Sequence, residues 1–163
     1  MSTADPGHVV VTTSVAETMA LGHKIARTLS SDAIVAMDGP LGSGKTVLVR
    51  GMVQALGGNT AMVGSPTFSL VHEYPLGDGR RLLHMDCYRM SGQEDLESTG
   101  WFEFAGDKES ITVVEWADRI SGALPSRTIR ILAGHQAQDS RVFEIHGIEI
   151  QAESSSSSPG EMP

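Results

Sequence analysis

Cys87 is the only cysteine among 163 residues, so no intramolecular disulfide can form and no cysteine-rich zinc site can be built. Lysine is nearly as scarce. Lys24, Lys45 and Lys108 are the only three, and twelve basic residues face twenty acidic ones for a formal net charge of -8. A chain with that balance repels polyphosphates at long range. It is a poor candidate for holding DNA or tRNA by itself, because such affinity comes mainly from lysine and arginine neutralising phosphates. Phosphate chemistry therefore needs a small, locally organised site. Asn59 is the only asparagine, so the guanine-reading N-K-x-D string of GTPase switches is absent. No apolar run approaches the roughly 20 residues that span a bilayer. Met1 to His8 lacks the basic-then-apolar pattern of a secretory signal. These absences lead to the expectation of a cytoplasmic protein with no membrane partner.

What is present suits an ordinary globular chain. Hydrophobic residues make up 40% and charged residues 20%, which excludes wholesale disorder. Residues 1–150 are expected to form one domain. The remainder, QAESSSSSPGEMP from 151 to 163, is serine-rich and is expected to be a disordered tail.

Hydrophobic spacing predicts alternating strands and helices. His8 to Thr12 reads as a short strand, and Ser14 with Glu17 as a capping box opening a helix over 15–29. Ala33 to Met37 is a nearly continuous apolar run, as in a strand buried on both faces. Residues 44–56 read as a helix that stops at Gly57-Gly58. Phe68 to Tyr74 and Arg81 to Asp86 flank a turn and predict a hairpin. Ser91 to Ser98 and Gly100 to Phe104 read as short helices, the first with a capping box from Ser91 to Glu94. Ile111 to Glu115 reads as another buried strand, and Arg127 to Leu132 with Arg141 to His146 as an antiparallel pair.

Between the buried strand and the second helix lies Gly39-Pro-Leu-Gly-Ser-Gly44-Lys45-Thr46, which fits G-x-x-x-x-G-K-[ST]. Glycines at 39, 42 and 44 allow backbone dihedrals that are costly with a Cβ, so that successive N–H groups turn inward as an anion nest. The helix dipole adds positive potential at the same spot. Lys45 is placed to reach β- and γ-phosphates, and the Thr46 hydroxyl is a hard oxygen ligand suited to Mg²⁺. The expected nucleotide-binding set is Gly39, Leu41, Gly42, Ser43, Gly44, Lys45, Thr46 and Val47. Lys45 is expected to face solvent from the loop. Such a site also needs a strand-end acid. Asp86 and Glu115 are the two candidates for holding Mg²⁺ or its water shell, and with Lys45 they make up the expected catalytic set. The architecture expected is α/β, a P-loop NTPase-like three-layer sandwich with a mixed parallel and antiparallel central sheet.

Three further strings accompany the loop: Ser65-Pro66-Thr67-Phe68, His84-Met-Asp86-Cys-Tyr88-Arg89 and Val114-Glu115-Trp116. In this order and spacing the four resemble TsaE (YjeE), the P-loop ATPase family of bacterial tRNA threonylcarbamoyladenosine synthesis, over about residues 8–146. The resemblance implies a weak ATPase that works with TsaB and TsaD, which attach a threonylcarbamoyl group to adenosine 37 of tRNAs reading ANN codons. TsaD performs the transfer, and tRNA is met only through the complex. The implied cofactors are ATP and Mg²⁺. By matched positions, Lys45 and Thr46 would bind phosphate and Mg²⁺, and Asp86 would be the Walker-B-like acid. Glu115 would bind Mg²⁺ or orient the attacking water. Thr67 would sense the γ-phosphate from a switch-like loop and join the nucleotide-binding set.

Other residues keep two readings. Trp116 packs or anchors a partner. Tyr88 and Arg89 face a partner, contact nucleotide or brace the loop. His84 is expected to pack on the sheet and Cys87 to be an inert buried thiol. No arginine of the chain is assigned to the site. The competing function is a stand-alone nucleotide or small-molecule kinase, whose loop would look the same but which usually carries an arginine-rich lid.

Overall fold

The computed structural model describes residues 5–64, 66 and 70–151. Its elements follow in the order β1 (His8–Thr12), α1 (Val15–Thr28), β2 (Ile34–Asp38), α2 (Lys45–Ala55), β3 (Val71–Pro75), β4 (Arg81–Asp86), α3 (Gln93–Ser98), α4 (Trp101–Phe104), β5 (Ser110–Glu115), β6 (Ile129–Ala137) and β7 (Ser140–His146). Short 3₁₀ segments cover Thr60–Met62 and Ala117–Ala123. The predicted elements are all found within a few residues. Of the predicted strand from Phe68 to Tyr74, the part at Phe68 and Ser69 lies outside the described residues, as does the serine-rich stretch from 152 onward.

The strands form one sheet in the order β1-β7-β6-β2-β5-β4-β3. Its centre is parallel: β6, β2, β5 and β4 run the same way. Its two edges are antiparallel, through the β3–β4 hairpin on one side and β6–β7–β1 on the other. The run Ile34-Val-Ala-Met37 explains why β2 sits in the middle, since alternate residues enter two different cores. Val35 and Met37 join the layer under α1 and α2, with Leu48, Met52, Leu82 and Val113. Ile34 and Ala36 join the opposite layer, with Met85, Cys87, Leu96, Trp101 and Val114. The fold is thus an α/β three-layer sandwich with a mixed sheet.

The first capping box forms with one change of partner. Ser14 Oγ accepts the Glu17 N–H at 3.1 Å, but the Glu17 carboxylate accepts the N–H of Thr13 at 2.7 Å instead of that of Ser14. The second is corrected. Gly92 is the N-cap of α3, and Ser91 donates its N–H and hydroxyl to Asp95, at 2.8 and 2.9 Å, not to Glu94. Extended backbone at Gly92 starts the helix one residue later than the Ser91–Glu94 spacing implies.

Helices α1 and α2 touch backbone to backbone. A Cβ at Gly22 would collide with the Leu48 carbonyl, and one at Gly51 with the Met19 carbonyl. Side chains larger than hydrogen at these two positions would push the helices apart.

Among the described residues no helix is long and apolar enough to cross a membrane.

Candidate functional site

Three parallel strands end at the same level. Met37 of β2, Glu115 of β5 and Asp86 of β4 lie in one row of the register, and the chain leaves β2 directly into the Gly39–Gly44 loop. In open α/β sheets this carboxyl edge is where ligands bind. Here it opens into a cleft of about 1020 Å³, at the upper end of the range for small-molecule and cofactor sites.

One wall is the loop and the start of α2. Residues Pro40 to Val47 all line the cleft. Gly42 and Gly44 take φ of 75° and 97°, in the left-handed region that favours glycine. Gly44 is the N-cap of α2, whose first turn contains no acidic residue. The helix therefore presents its free N–H groups and positive dipole end to the cleft without an internal counter-charge. Gly39 does not line the cleft. It packs against the backbone of Ala133, where a Cβ would clash, and its carbonyl accepts the Lys45 ammonium.

Lys45 is the first helical residue and only 6% exposed, not a solvent-facing loop residue. The expectation failed because the helix begins at Lys45 itself, which turns the side chain back under the loop. Its Nζ donates to the carbonyls of Gly39 and, at 3.1 Å, Pro40, and stands 5.3 Å from the Trp116 ring centre. Burial holds this ammonium below the ordinary lysine range, against the opposing pull of Glu115, Asp86 and Asp38. Ser43 Oγ is buried without a hydrogen-bond partner among the described residues, an unspent polar group inside the loop.

The facing wall carries the carboxylates. Glu115 is 3% exposed, and its Oε1 lies 3.0 Å from Nε2 of the fully buried His84. Asp86 is 8% exposed and accepts the Tyr88 N–H at 2.8 Å; burial raises its carboxyl above the usual range. Asp38, at the end of β2, accepts the Asp118 N–H at 3.1 Å and is likewise raised by burial. Just beyond Glu115, Trp116 has φ 56° and ψ 41°, an unusual conformation for a bulky side chain. It packs against Tyr88 at 4.9 Å between ring centres, and Arg119 caps Tyr88 at 5.6 Å. Tyr88 and Trp116 both line the cleft. Cys87 points away from it, fully buried, with its thiol pushed up to about 12.

The structure adds residues that local reading missed. Arg141, at the start of β7, lines the cleft and donates Nε to the Gly42 carbonyl at 2.8 Å. Its cross-strand neighbour His135 places Nε2 3.3 Å from the Leu41 carbonyl. In a trans peptide the N–H points opposite to the C=O. Holding the Leu41 carbonyl therefore directs the Gly42 N–H the other way, while the Ser43 N–H closes a turn onto the Pro40 carbonyl at 3.2 Å. No motif marks His135 or Arg141; their role follows from pairing between β6 and β7. Thr13, Ser14, Val15 and Thr18 form a further wall from the start of α1. Thr67 lies outside the described residues.

The arrangement brings together an anion nest, a helix N-terminus, a buried ammonium, a hydroxyl at Thr46 and two strand-end carboxylates. Backbone donors suit phosphate oxygens, and hard oxygen donors suit a small divalent cation shared with them. Among the described residues no cluster of three or more His, Cys, Asp or Glu side chains is placed to hold a metal on its own.

Comparison with known proteins places the chain. The family model described as "Threonylcarbamoyl adenosine biosynthesis protein TsaE" matches residues 12–143. The chain is 39% identical over 98 residues to the tRNA threonylcarbamoyladenosine biosynthesis protein TsaE of Haemophilus influenzae, covering 60% of each chain. It is 35% identical over 127 residues to the protein of that name from Bacillus subtilis, covering 77% of this chain and 76% of the other. Against the Streptomyces coelicolor protein it is 41% identical, over 60% of this chain and 66% of the other. The chain thus spans about three fifths to three quarters of the length of these relatives. The crystal structure of Bacillus subtilis YdiB superposes with a TM-score of 0.69 at 26% identity, covering 89% of this chain and 88% of that one. With the loop, both strand-end acids and strands β2 to β6 inside the matched span, the chain belongs to the TsaE family.

Proposed function

We propose that the chain binds and hydrolyses ATP with Mg²⁺ as a partner subunit of TsaB and TsaD in the threonylcarbamoyladenosine modification of tRNA position 37. The observation that carries this reading is the cleft itself. The Pro40–Thr46 segment of the loop faces Glu115 and Asp86 across a space fit for a nucleotide.

The residues fit the two ligands. The nest from Gly42 to Lys45 and the N-terminus of α2 receive the β- and γ-phosphates, and Lys45 exchanges its loop carbonyls for phosphate oxygens. Ser43 Oγ, buried and unpartnered among the described residues, gains an acceptor. Thr46 and Asp86 hold Mg²⁺ together with the phosphates, as one or two protein oxygens commonly do. Mg²⁺, when bound, neutralises charge developing on the phosphoryl oxygens. Glu115 joins the metal shell or orients the attacking water. Thr13, Ser14, Val15 and Thr18 form the wall available to the rest of the nucleotide, and Thr67 serves as the γ-phosphate sensor. Hydrolysis by the chain alone is slow and rises with TsaB–TsaD, by the 10³- to 10⁵-fold typical, as an order of magnitude, of completing a P-loop site. With its net charge of -8 the chain does not hold tRNA by itself.

The test is ATP–Mg²⁺ binding by calorimetry and turnover with and without TsaB–TsaD. Binding with partner-stimulated hydrolysis supports the proposal. Equal turnover with and without the partners favours the stand-alone kinase, and no binding at all removes both.

A further inference from the structure

His84 sits under α2 in the same layer as Leu82 and Val113, fully buried. An aliphatic side chain would fill that volume at no polar cost. The imidazole instead uses both nitrogens: Nε2 lies 3.0 Å from Glu115 Oε1 and Nδ1 3.4 Å from the Tyr74 hydroxyl. An ionised Glu115 can only accept, which places a proton on Nε2. Tyr74 is itself 2% exposed; its hydroxyl carries one proton, which either Nδ1 of His84 or the Gly64 carbonyl at 3.2 Å can accept, and its oxygen accepts the Gly64 N–H at 3.4 Å. His72 Nδ1 approaches the same oxygen at 3.3 Å. A continuous polar thread, wrapped in apolar core, therefore runs from Glu115 to Gly64, the residue before Ser65.

We propose that His84 is a positioning residue for Glu115, and that Tyr74 and His84 together tie the orientation of that carboxylate to the backbone at Gly64. The role of Glu115 in turnover rests on the function proposed above; the thread is independent of it. His84 fixes which way the carboxylate faces, since a glutamate at a strand end otherwise rotates about three bonds. A shift of the backbone at Gly64 then reaches the cleft through two side chains instead of through the strands.

The experiment uses the full chain in two arms. In the first, without nucleotide, the amide resonance of Gly64 is followed by NMR. Glu115→Gln shifts it in the wild-type background and leaves it unmoved in Tyr74→Phe, which removes one hydroxyl and keeps the ring. In the second, with ATP–Mg²⁺ and TsaB–TsaD, Tyr74→Phe and His84→Leu lower kcat about tenfold with KM for ATP unchanged within twofold, the scale of one hydrogen bond to a charged group. His84→Gln, whose amide nitrogen reaches the place of Nε2, recovers most of that loss, which a purely packing role would not produce. A Gly64 response to Glu115→Gln that persists in Tyr74→Phe overturns the proposal, as does a His84→Leu variant that turns over like wild type. If no variant hydrolyses ATP, wild type included, the functional reading fails and the first arm alone decides the thread.

Discussion

The two walls of the cleft are built on opposite principles. The loop wall is backbone, and its polarity comes from N–H groups set by glycine dihedrals and by loop carbonyls held by His135 and Arg141. The strand wall is side chain, and its carboxylates are held from behind, Glu115 by His84 and Asp86 by the Tyr88 N–H. A backbone wall is rigid and indifferent to side-chain identity, which suits binding a fixed phosphate shape. A carboxylate wall carries charge whose value depends on its surroundings, which suits acting on charge that shifts during reaction. The difference predicts that damage to the first wall appears in affinity and damage to the second in turnover.

The strongest test of that division is Glu115→Gln. It keeps volume and removes charge, and is expected to lower partner-stimulated hydrolysis by about 100-fold or more while ATP affinity stays near wild type. Steady-state kinetics with parallel calorimetry checks it, and an equal loss in both measurements would merge the two walls. On the loop side, Lys45→Met keeps the buried stem and drops the ammonium. Its ATP affinity is expected to fall by roughly 10- to 100-fold, the worth of a charge-assisted contact. Melting should change little, because burial already disfavours this charge. Arg141→Ala frees the Gly42 carbonyl and is expected to weaken ATP binding by about fivefold, the scale of one hydrogen bond, with kcat for bound nucleotide preserved. The smallest effect is on stability. Burial raises the Asp86 carboxyl in the fold, so the native state retains a proton in a pH window where the unfolded chain has released it. In that window stability falls as pH rises. Without metal, Asp86→Asn should therefore melt higher than wild type at neutral pH, with the gap narrowing on acidification. A gap that widens toward acid would mean that Lys45 and the Tyr88 N–H outweigh burial.

Local spacing carried much of this. The loop motif, the apolar strand before it and the two strand-end acids occupy consecutive or fixed positions, and each was legible because its chemistry depends on neighbours in the chain. What escaped depends on strand pairing. His135 and Arg141 lie about a hundred residues from the loop they hold, and only the β6–β7 register beside β2 brings them there. The His84 thread escaped for a related reason: alternation along β4 places the ring on the α2 face, but its partners come from β3 and β5. Lys45 was misjudged because exposure depends on where the helix starts, a boundary of one residue.

The glycine contact between α1 and α2 has a mechanical consequence. Gly22 and Gly51 let the two backbones meet with no side chains between them to yield, a contact that resists any change in the spacing of the pair. The pair carries both the phosphate loop, at the start of α2, and Thr13 to Thr18, at the start of α1. The gauge of the cleft along this side is therefore set before any ligand arrives. Accommodation must come from the far jaw, where Asp86, Tyr88, Glu115 and Trp116 stand on strand ends and turns.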